Sequence, residues 1–348
     1  MARLGAFERA HERLLRLDRT DLDSEGFREA AASCLRTAIS FCGWCWTIVD
    51  PLSLVPTWAA TGDSPLHASQ RRLFEIERAE PDAWTPARLL ESGRGISVLS
   101  QATGGDLSRS ARWVELLRPY GIGDELRAVL VAGGTCWGTL TLYRERRDGR
   151  FAPEETSWLA TLLPRFARRL RRDLARPAPP PGDGADEPGM ILIGRDGGPV
   201  AATAAAHRWL ARLPGPAGPE PLPGLLYALV ARLDAGLTAR ARLRTRDGCW
   251  AVAYAAHLHG AFDAAGTAVV IEPARSEEVR PLFLAAHGLT RREREVTEQV
   301  LAGRSGPQIA AALHLSLHTV QDHLKAVFDK TGVRSRRELM ARVGAVAG

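Results

Sequence analysis

Apolar residues recur along this chain with two periods, and the places where one period gives way to the other divide it. Phe27, Ala31, Cys34, Leu35 and Ala38 fall at i, i+4, i+7, i+8 and i+11, the buried face of a helix. A shorter amphipathic helix (Leu4, Phe7, Leu14, Leu15) precedes it, separated by a polar break at residues 18–24. Residues 41–50 read as an aromatic strand closed by Pro51. Residues 52–124 mix helical stretches (69–78, 87–92 and 108–117) with loops and give no legible sheet order. Two β-rich runs, 126–132 and 135–144, then flank Gly133-Gly134 and predict a hairpin. A long helix opens at Phe151-Ala-Pro-Glu-Glu, with Pro in its first turn and acids beside it. Its face is Trp158, Leu159, Leu162, Leu163, Phe166 and Leu170, and Pro164 inside the pattern predicts a kink.

The run from Ala175 to Gly189 holds five prolines and three glycines and reads as a linker, semi-rigid across Pro179–Pro181. Beyond it the pattern predicts strands at 190–193 and near Val200, then helices over 203–213 and 225–233 around a Pro/Gly loop at 214–224. A hairpin on Asp247-Gly248 (240–245 with 249–258) and a strand at 267–272 follow, then a connecting helix over 276–286.

The last sixty residues carry the sharpest signals. Thr290 with Glu293 and Ser305 with Gln308 are capping boxes, and Ser316 can cap the helix that starts at Leu317. Ile309, Ala310, Leu313 and Leu315 hand over to Val320, Leu324, Val327 and Phe328 across a break at 314–316, so two helices are joined by a tight turn. LTRRERE followed by QIAAALHLSLHTVQDHLKAVFDKTGVRSRREL resembles the LuxR-type helix-turn-helix domain. The Trp-Gly-x-Leu-x-Leu hairpin at 137–142 with its closing helix resembles a GAF-type sensory domain, and the β–β–α–α–β–β–β order of 190–275 resembles a PAS-type one.

The expected fold is multidomain α+β. It comprises an N-terminal helix (1–24), a GAF-like α/β sensor domain (25–172), a Pro/Gly-rich linker (173–189), a smaller PAS-like α+β domain (190–275) and a connecting helix (276–282). An all-α four-helix LuxR-type helix-turn-helix domain (283–348) closes the chain, with its motif at 306–325.

Charge agrees with this division. Of a formal +6, +4 comes from the stretch after Gly288, where ten Arg and Lys face six Asp and Glu, as a polyanion partner would select. Charged residues run through the N-terminus, which lacks the apolar core of a signal peptide, and no apolar run approaches eighteen residues. Five scattered cysteines then suggest a reducing, cytoplasmic setting and no membrane partner. Cys42-Gly-Trp-Cys45 has redox spacing, but alternation along a strand sends the two thiols to opposite faces. His257 and His259 offer two metal-type ligands on one face of a strand without a third nearby. Arg165, Arg168, Arg169, Arg171 and Arg172 read as a solvated basic helix end. No phosphate-binding loop, nucleophile elbow or metal-protease motif is present, so neither an enzyme nor a cofactor is expected.

The LuxR-type resemblance implies double-stranded DNA as the partner, a homodimer formed through the last helix, contact with RNA polymerase, and an unidentified small-molecule effector. It places the helix starting at Leu317 in the major groove. Gln321, Asp322 and Lys325 then face base edges, with Lys325 suited to guanine, Gln321 to adenine and Asp322 to cytosine. Asp322 either selects cytosine or is held by a neighbour such as Lys325. Ser316, His318, Thr319, Arg334, Ser335 and Arg336 form the backbone-positioning set. The alternative reading is a redox or ligand-binding signalling protein that acts through protein contacts.

Overall fold

The computed structural model describes residues 2–66, 69–79, 85–176, 187–214, 220–259 and 266–344. Pro179–Pro181 and residues 215–219 of the expected Pro/Gly loop lie outside the described residues.

Helices α1 (Ala2–Leu17) and α2 (Ser24–Leu35) lead into strands β1 (Gly43–Val49) and β2 (Pro56–Gly62). The stretch that was illegible as sequence contains α3 (Gln70–Ala79), α4 (Pro86–Glu91), the short strand β3 (Ile96–Val98) and the single turn α5 (Leu99–Ala102). A π-helical turn, Trp113–Leu117, stands where a regular helix is expected over 108–117. Strands β4 (Ile122–Ala132) and β5 (Thr135–Glu145) form the expected hairpin, with Gly133 and Gly134 both at positive φ as the two-residue turn demands. Helix α6 (Pro153–Ala175) closes the unit and runs on through Pro164.

The five strands form one antiparallel sheet in the order β2-β1-β5-β4-β3. Period-two alternation gives it two unlike faces. Trp44, Trp46, Ile48, Leu126, Ala128, Leu140 and Leu142 join a core with α1, α2 and α6. Gly138 sits on this face because a Cβ there would meet Leu170 of α6 at 2.6 Å and the Thr47 carbonyl at 2.2 Å. Buried polar clamps hold the layers together. Arg28 donates from Nη1 to the Trp46 carbonyl (3.0 Å), and Arg144 grips Glu155 through two 3.0 Å bonds. Asp124 accepts from the Ser100 and Phe151 N–H groups, both at 3.0 Å, and from the Ser100 hydroxyl.

The second unit repeats the strand order. Strands β6 (Gly189–Ile193) and β7 (Pro199–Ala202), helices α7 (Ala204–Arg212) and α8 (Gly224–Asp234), and strands β8 (Arg240–Arg244), β9 (Trp250–His257) and β10 (Thr267–Pro273) build an antiparallel sheet ordered β7-β6-β10-β9-β8. One face packs Ile191, Ala253 and Val269 against Trp209 and Leu226 of α7 and α8. The other presents Trp250 and Val252 to helix α9 (Ser276–Ala286).

Helices α10 (Arg291–Leu301), α11 (Gly306–Leu313), α12 (Leu317–Thr331) and α13 (Arg336–Gly344) finish the chain around Val296, Ile309, Val320, Leu324 and Leu339. The caps form as expected at two of three sites. Thr290 Oγ1 accepts from the Glu293 N–H (3.3 Å) while Glu293 reaches back to the Thr290 N–H (2.7 Å). Ser316 Oγ accepts from the Thr319 N–H (3.0 Å). At the third, Gln308 accepts from the Ser305 N–H (2.8 Å), but the Ser305 hydroxyl makes no cap bond.

Helix α9 belongs to three cores at once. Val279 and Leu282 pack under the second sheet, Phe283 and Leu284 enter the core of the last four helices, and Ala286 joins the core of the first sheet. Its first turn is tied to both sheets by ions. Arg242 on β8 donates from its backbone N (3.0 Å) and Nη1 (2.9 Å) to the fully buried Asp50 at the end of β1, and from Nε to the Glu278 carbonyl (2.8 Å). Arg240 pairs with the Glu278 side chain.

Replacing Asp50 by Ala leaves the Arg242 guanidinium and N–H without their buried acceptor. The expected loss is about 3 kcal/mol in the unfolding of the two sheet units, measured by urea titration together with faster amide exchange in α9. A change within about 0.5 kcal/mol would show that the clamp is not stabilising.

The α11–α12 turn passes through His314 at φ 54, ψ 47, a left-handed conformation in which a Cβ is strained. It is used because it lets the Leu315 N–H reach back to the Ala310 carbonyl (2.9 Å) and end α11 sharply. His314→Gly should stabilise the last four helices by about 0.5–1 kcal/mol and His314→Val should destabilise them, compared by thermal melting of the two full-length variants.

Candidate nucleic-acid interface and sensor cavity

The caps and the His314 turn set α12 across α11 with one side in the core and one in solvent. Val320, Leu324 and Val327 point inward, and Gln321, Asp322 and Lys325 are exposed. His318 Nε2 lies 3.7 Å from Asp322 Oδ2, one helical turn away, so the neighbour that Asp322 faces is His318 and not Lys325. Both are well exposed, and such a pair is weak in water.

The positioning set splits. Ser316 caps α12, and its hydroxyl lies 2.8 Å from that of Thr319 at the helix start. Ser335 Oγ accepts from the Glu338 N–H (3.1 Å), and Glu338 accepts from the Arg334 N–H (2.7 Å), which fixes the start of α13. Arg336 is only partly exposed, because Nη1 donates to the Arg304 carbonyl (3.1 Å) and holds the loop before α11. Arg334 is exposed. Behind the face, Lys330 pairs with Glu293 at 2.6 Å and locks α12 to α10. Burial would raise the Glu293 carboxyl, but Lys330 and the Thr290 N–H outweigh it and hold it below the usual carboxylate range.

Other sequence candidates are placed differently from expectation. Cys42 precedes β1 and does not lie within it, so both Cys42 and Cys45 pack against the cluster around Tyr143 and not on opposite faces. Both are free thiols, and burial pushes them up, Cys45 to about 11, away from the thiolate that redox chemistry needs. His257 ends β9 and His259 lies beyond it, their rings 6.4 Å apart. Among the described residues no group of three or more His, Cys, Asp or Glu gathers as a metal site.

The basic end of α6 is a solvated face only in part. Arg169 is buried against Phe27 and bonded to Asp173 at 3.1 Å, and Arg165 and Arg172 pair with Asp18. Arg171 reaches Gly288, where a Cβ would come within 3.0 Å of its Nη1. Arg168 stands in solvent as expected, and so does Arg172 although it is paired with Asp18.

A cavity of about 1030 Å³, not foreseen from the sequence, lies between the outer face of the first sheet and α8 of the second unit. Its floor is built in rows across the sheet: Thr61, Cys45, Thr141 and Arg127 in one, Ala59, Thr47 and Thr139 in the next. Thr47 and Thr139 share a hydrogen bond at 2.6 Å, and burial pushes the Tyr143 phenol up, so it stays neutral. The signal was legible as Cys45-Trp-Thr-Ile and Thr139-Leu-Thr-Leu-Tyr, polar residues alternating with large apolar ones on central strands. Arg112 and Arg127 both donate to Glu77 of α3 (3.0 and 2.8 Å) and share Glu125 beneath it. At its other end, α3 is capped by Glu220 of the second unit, whose carboxylate accepts from the Gln70 and Arg71 N–H groups, both at 3.1 Å. No helix among the described residues is long and apolar enough to cross a membrane.

Comparison with known proteins meets this geometry at both ends of the chain. Residues 287–343 match the model of bacterial regulatory proteins of the luxR family, and residues 27–170 match the GAF domain. The monoamine regulon transcriptional regulator of Klebsiella aerogenes is 46% identical over 54 residues, 16% of this chain and 24% of that relative's length. Among solved structures, Escherichia coli SdiA overlaps 98% of both chains at 11% identity with a TM-score of 0.33. The GAF domain/HD domain protein of Geobacter sulfurreducens covers 42% of this chain and 92% of its own at 16% identity with a TM-score of 0.31. Overlaps this weak carry no weight for function. The chain thus combines a GAF domain at residues 27–170 with a regulatory domain of the luxR family at residues 287–343.

Proposed function

We propose that the protein is a cytoplasmic, sequence-specific DNA-binding transcriptional regulator in which a small molecule sensed by the N-terminal units controls the last four helices. The observation that carries this reading is the exposed row Gln321, Asp322 and Lys325 on α12, backed by a core, two end caps and the Lys330–Glu293 lock. A rigid helix with a polar outer face and basic flanks is the form in which a helix-turn-helix enters the major groove. Gln321, Asp322 and Lys325 all stand open to base edges, Asp322 suited to a cytosine amino group. Arg334 and the N–H groups at the start of α12 serve the phosphates. Arg336 has a mixed part, since it also shapes the loop before α11.

The proposed domain limits are those of the sequence reading, with residues 190–275 as a PAS-like second sensor. One module reads few base pairs, so we place two copies on paired half-sites, joined through α13, on which Met340 is exposed. Coupling runs through α9. A ligand that shifts the cavity wall at Val49, next to Asp50, acts on Arg242 and Glu278, and so on the helix whose other end enters the DNA-reading core.

Lys325→Ala should weaken binding to the preferred site by about 1–3 kcal/mol and relax one base position, read by binding-site selection followed by fluorescence anisotropy. Arg334→Ala should weaken binding to all sequences alike and lower the salt slope by about 1. Wild-type affinity and base preference in both variants would remove this docking geometry.

A further inference from the structure

Most charges that line the cavity are locally matched. Glu77 serves Arg112 and Arg127, and Glu91 pairs with Arg88 at 3.3 Å. Glu220 is engaged by the start of α3. Arg246 donates to the Leu213 carbonyl (3.0 Å), and Arg78 stands in solvent at the rim.

Arg232 differs. It is half-buried on α8, its Nε donates to the Thr238 carbonyl (3.1 Å), and among the described residues no carboxylate pairs with it. The neighbouring Asp50 carboxylate is engaged by Arg242, Ser53 and the Leu52 N–H. Burial lowers the Arg232 pKa and the field of Asp50 only partly offsets it, the mark of a poorly solvated cation without a counter-charge. Around it the wall is apolar, with Leu54 and Val55 from the first unit and Leu225 and Ala228 from the second. The volume, about 1030 Å³, is at the upper end of small-molecule sites.

We propose that this cavity binds an amphiphile with a single carboxylate, which pairs with Arg232 while its apolar body lies between Leu54, Val55 and Leu225. The guanidinium fork matches a carboxylate in shape, and a half-dehydrated site strengthens the charge-assisted bonds over those to a neutral alcohol. The two units contribute opposite walls, so the ligand bridges them beside Asp50. The inference rests on the reading of the N-terminal units as sensors.

The test is isothermal titration of the full-length protein with decanoate, 1-decanol and decyltrimethylammonium, all below their aggregation concentrations. Decanoate should bind about tenfold more tightly than decanol, and the cation more weakly than either. Arg232→Gln should bring decanoate to the level of decanol, and Ala228→Trp, which fills the cavity from α8, should remove both. If Ala228→Trp does not fold, Arg232→Gln alone decides. Decanol binding as tightly as decanoate, an unchanged preference in Arg232→Gln, or no binding of any of the three overturns the proposal. Calorimetry reads the ligand without DNA. Failure here therefore leaves the DNA-binding reading standing, and a failed DNA titration leaves this one standing.

Discussion

One short helix cannot be moved without disturbing three cores. Helix α9 gives Val279 and Leu282 to the second sheet, Phe283 and Leu284 to the core of the last four helices, and Ala286 to the first sheet. Its first turn is pinned through Glu278 to Arg242, and through Arg242 to the buried Asp50. Close-packed interiors do not deform gradually, so a shift at any of the three contacts must be answered at the other two. The remaining architecture can be understood as what this junction holds together.

The two sheets share a strand order, 2-1-5-4-3 within each unit, yet use it differently. In the first, one face is a thick apolar core and the other a polar floor that opens on the cavity. In the second, both faces are covered, one by α7 and α8 and the other by α9. The roof of the cavity is therefore the outer side of the α7–α8 layer, and α3 straps the two units together through Glu77 at one end and the Glu220 cap at the other. A charge balance that, among the described residues, is complete around Glu77 and open at Arg232 gives the cavity its polarity.

Legibility in the sequence followed the range of the interactions concerned. The capping boxes, the Gly-Gly and Asp-Gly turns, the α6 face and the α11–α12 handover depend on residues three to eleven apart, and each was readable as spacing. The fate of the α6 arginines was not. Their spacing is that of an ordinary basic helix end, and only the approach of Asp18, Phe27 and Gly288 makes them clamps. Nor was the placement of the Cys42–Cys45 pair, because strand alternation applies only inside a strand and β1 begins one residue too late. The order of residues 52–124 failed for a related reason: β3 is three residues long, and β2, PTWAATG, is a seven-residue strand whose buried positions do not alternate, so neither carries the pattern that would declare its neighbours.

By itself the sequence determined the type of each long element, the helix-turn-helix with its caps, and the outward row Gln321, Asp322 and Lys325, because helical and strand periods are local consequences of backbone geometry. The His318–Asp322 contact is likewise an i,i+4 pair that helical spacing already brings together. Tertiary structure alone decided that Asp50 meets Arg242 and that Arg232, among the described residues, stands without a carboxylate beside an apolar wall. These depend on side chains up to 192 residues apart. Neither leaves a trace in spacing, because charge pairing is set by which surfaces come together after each element has formed.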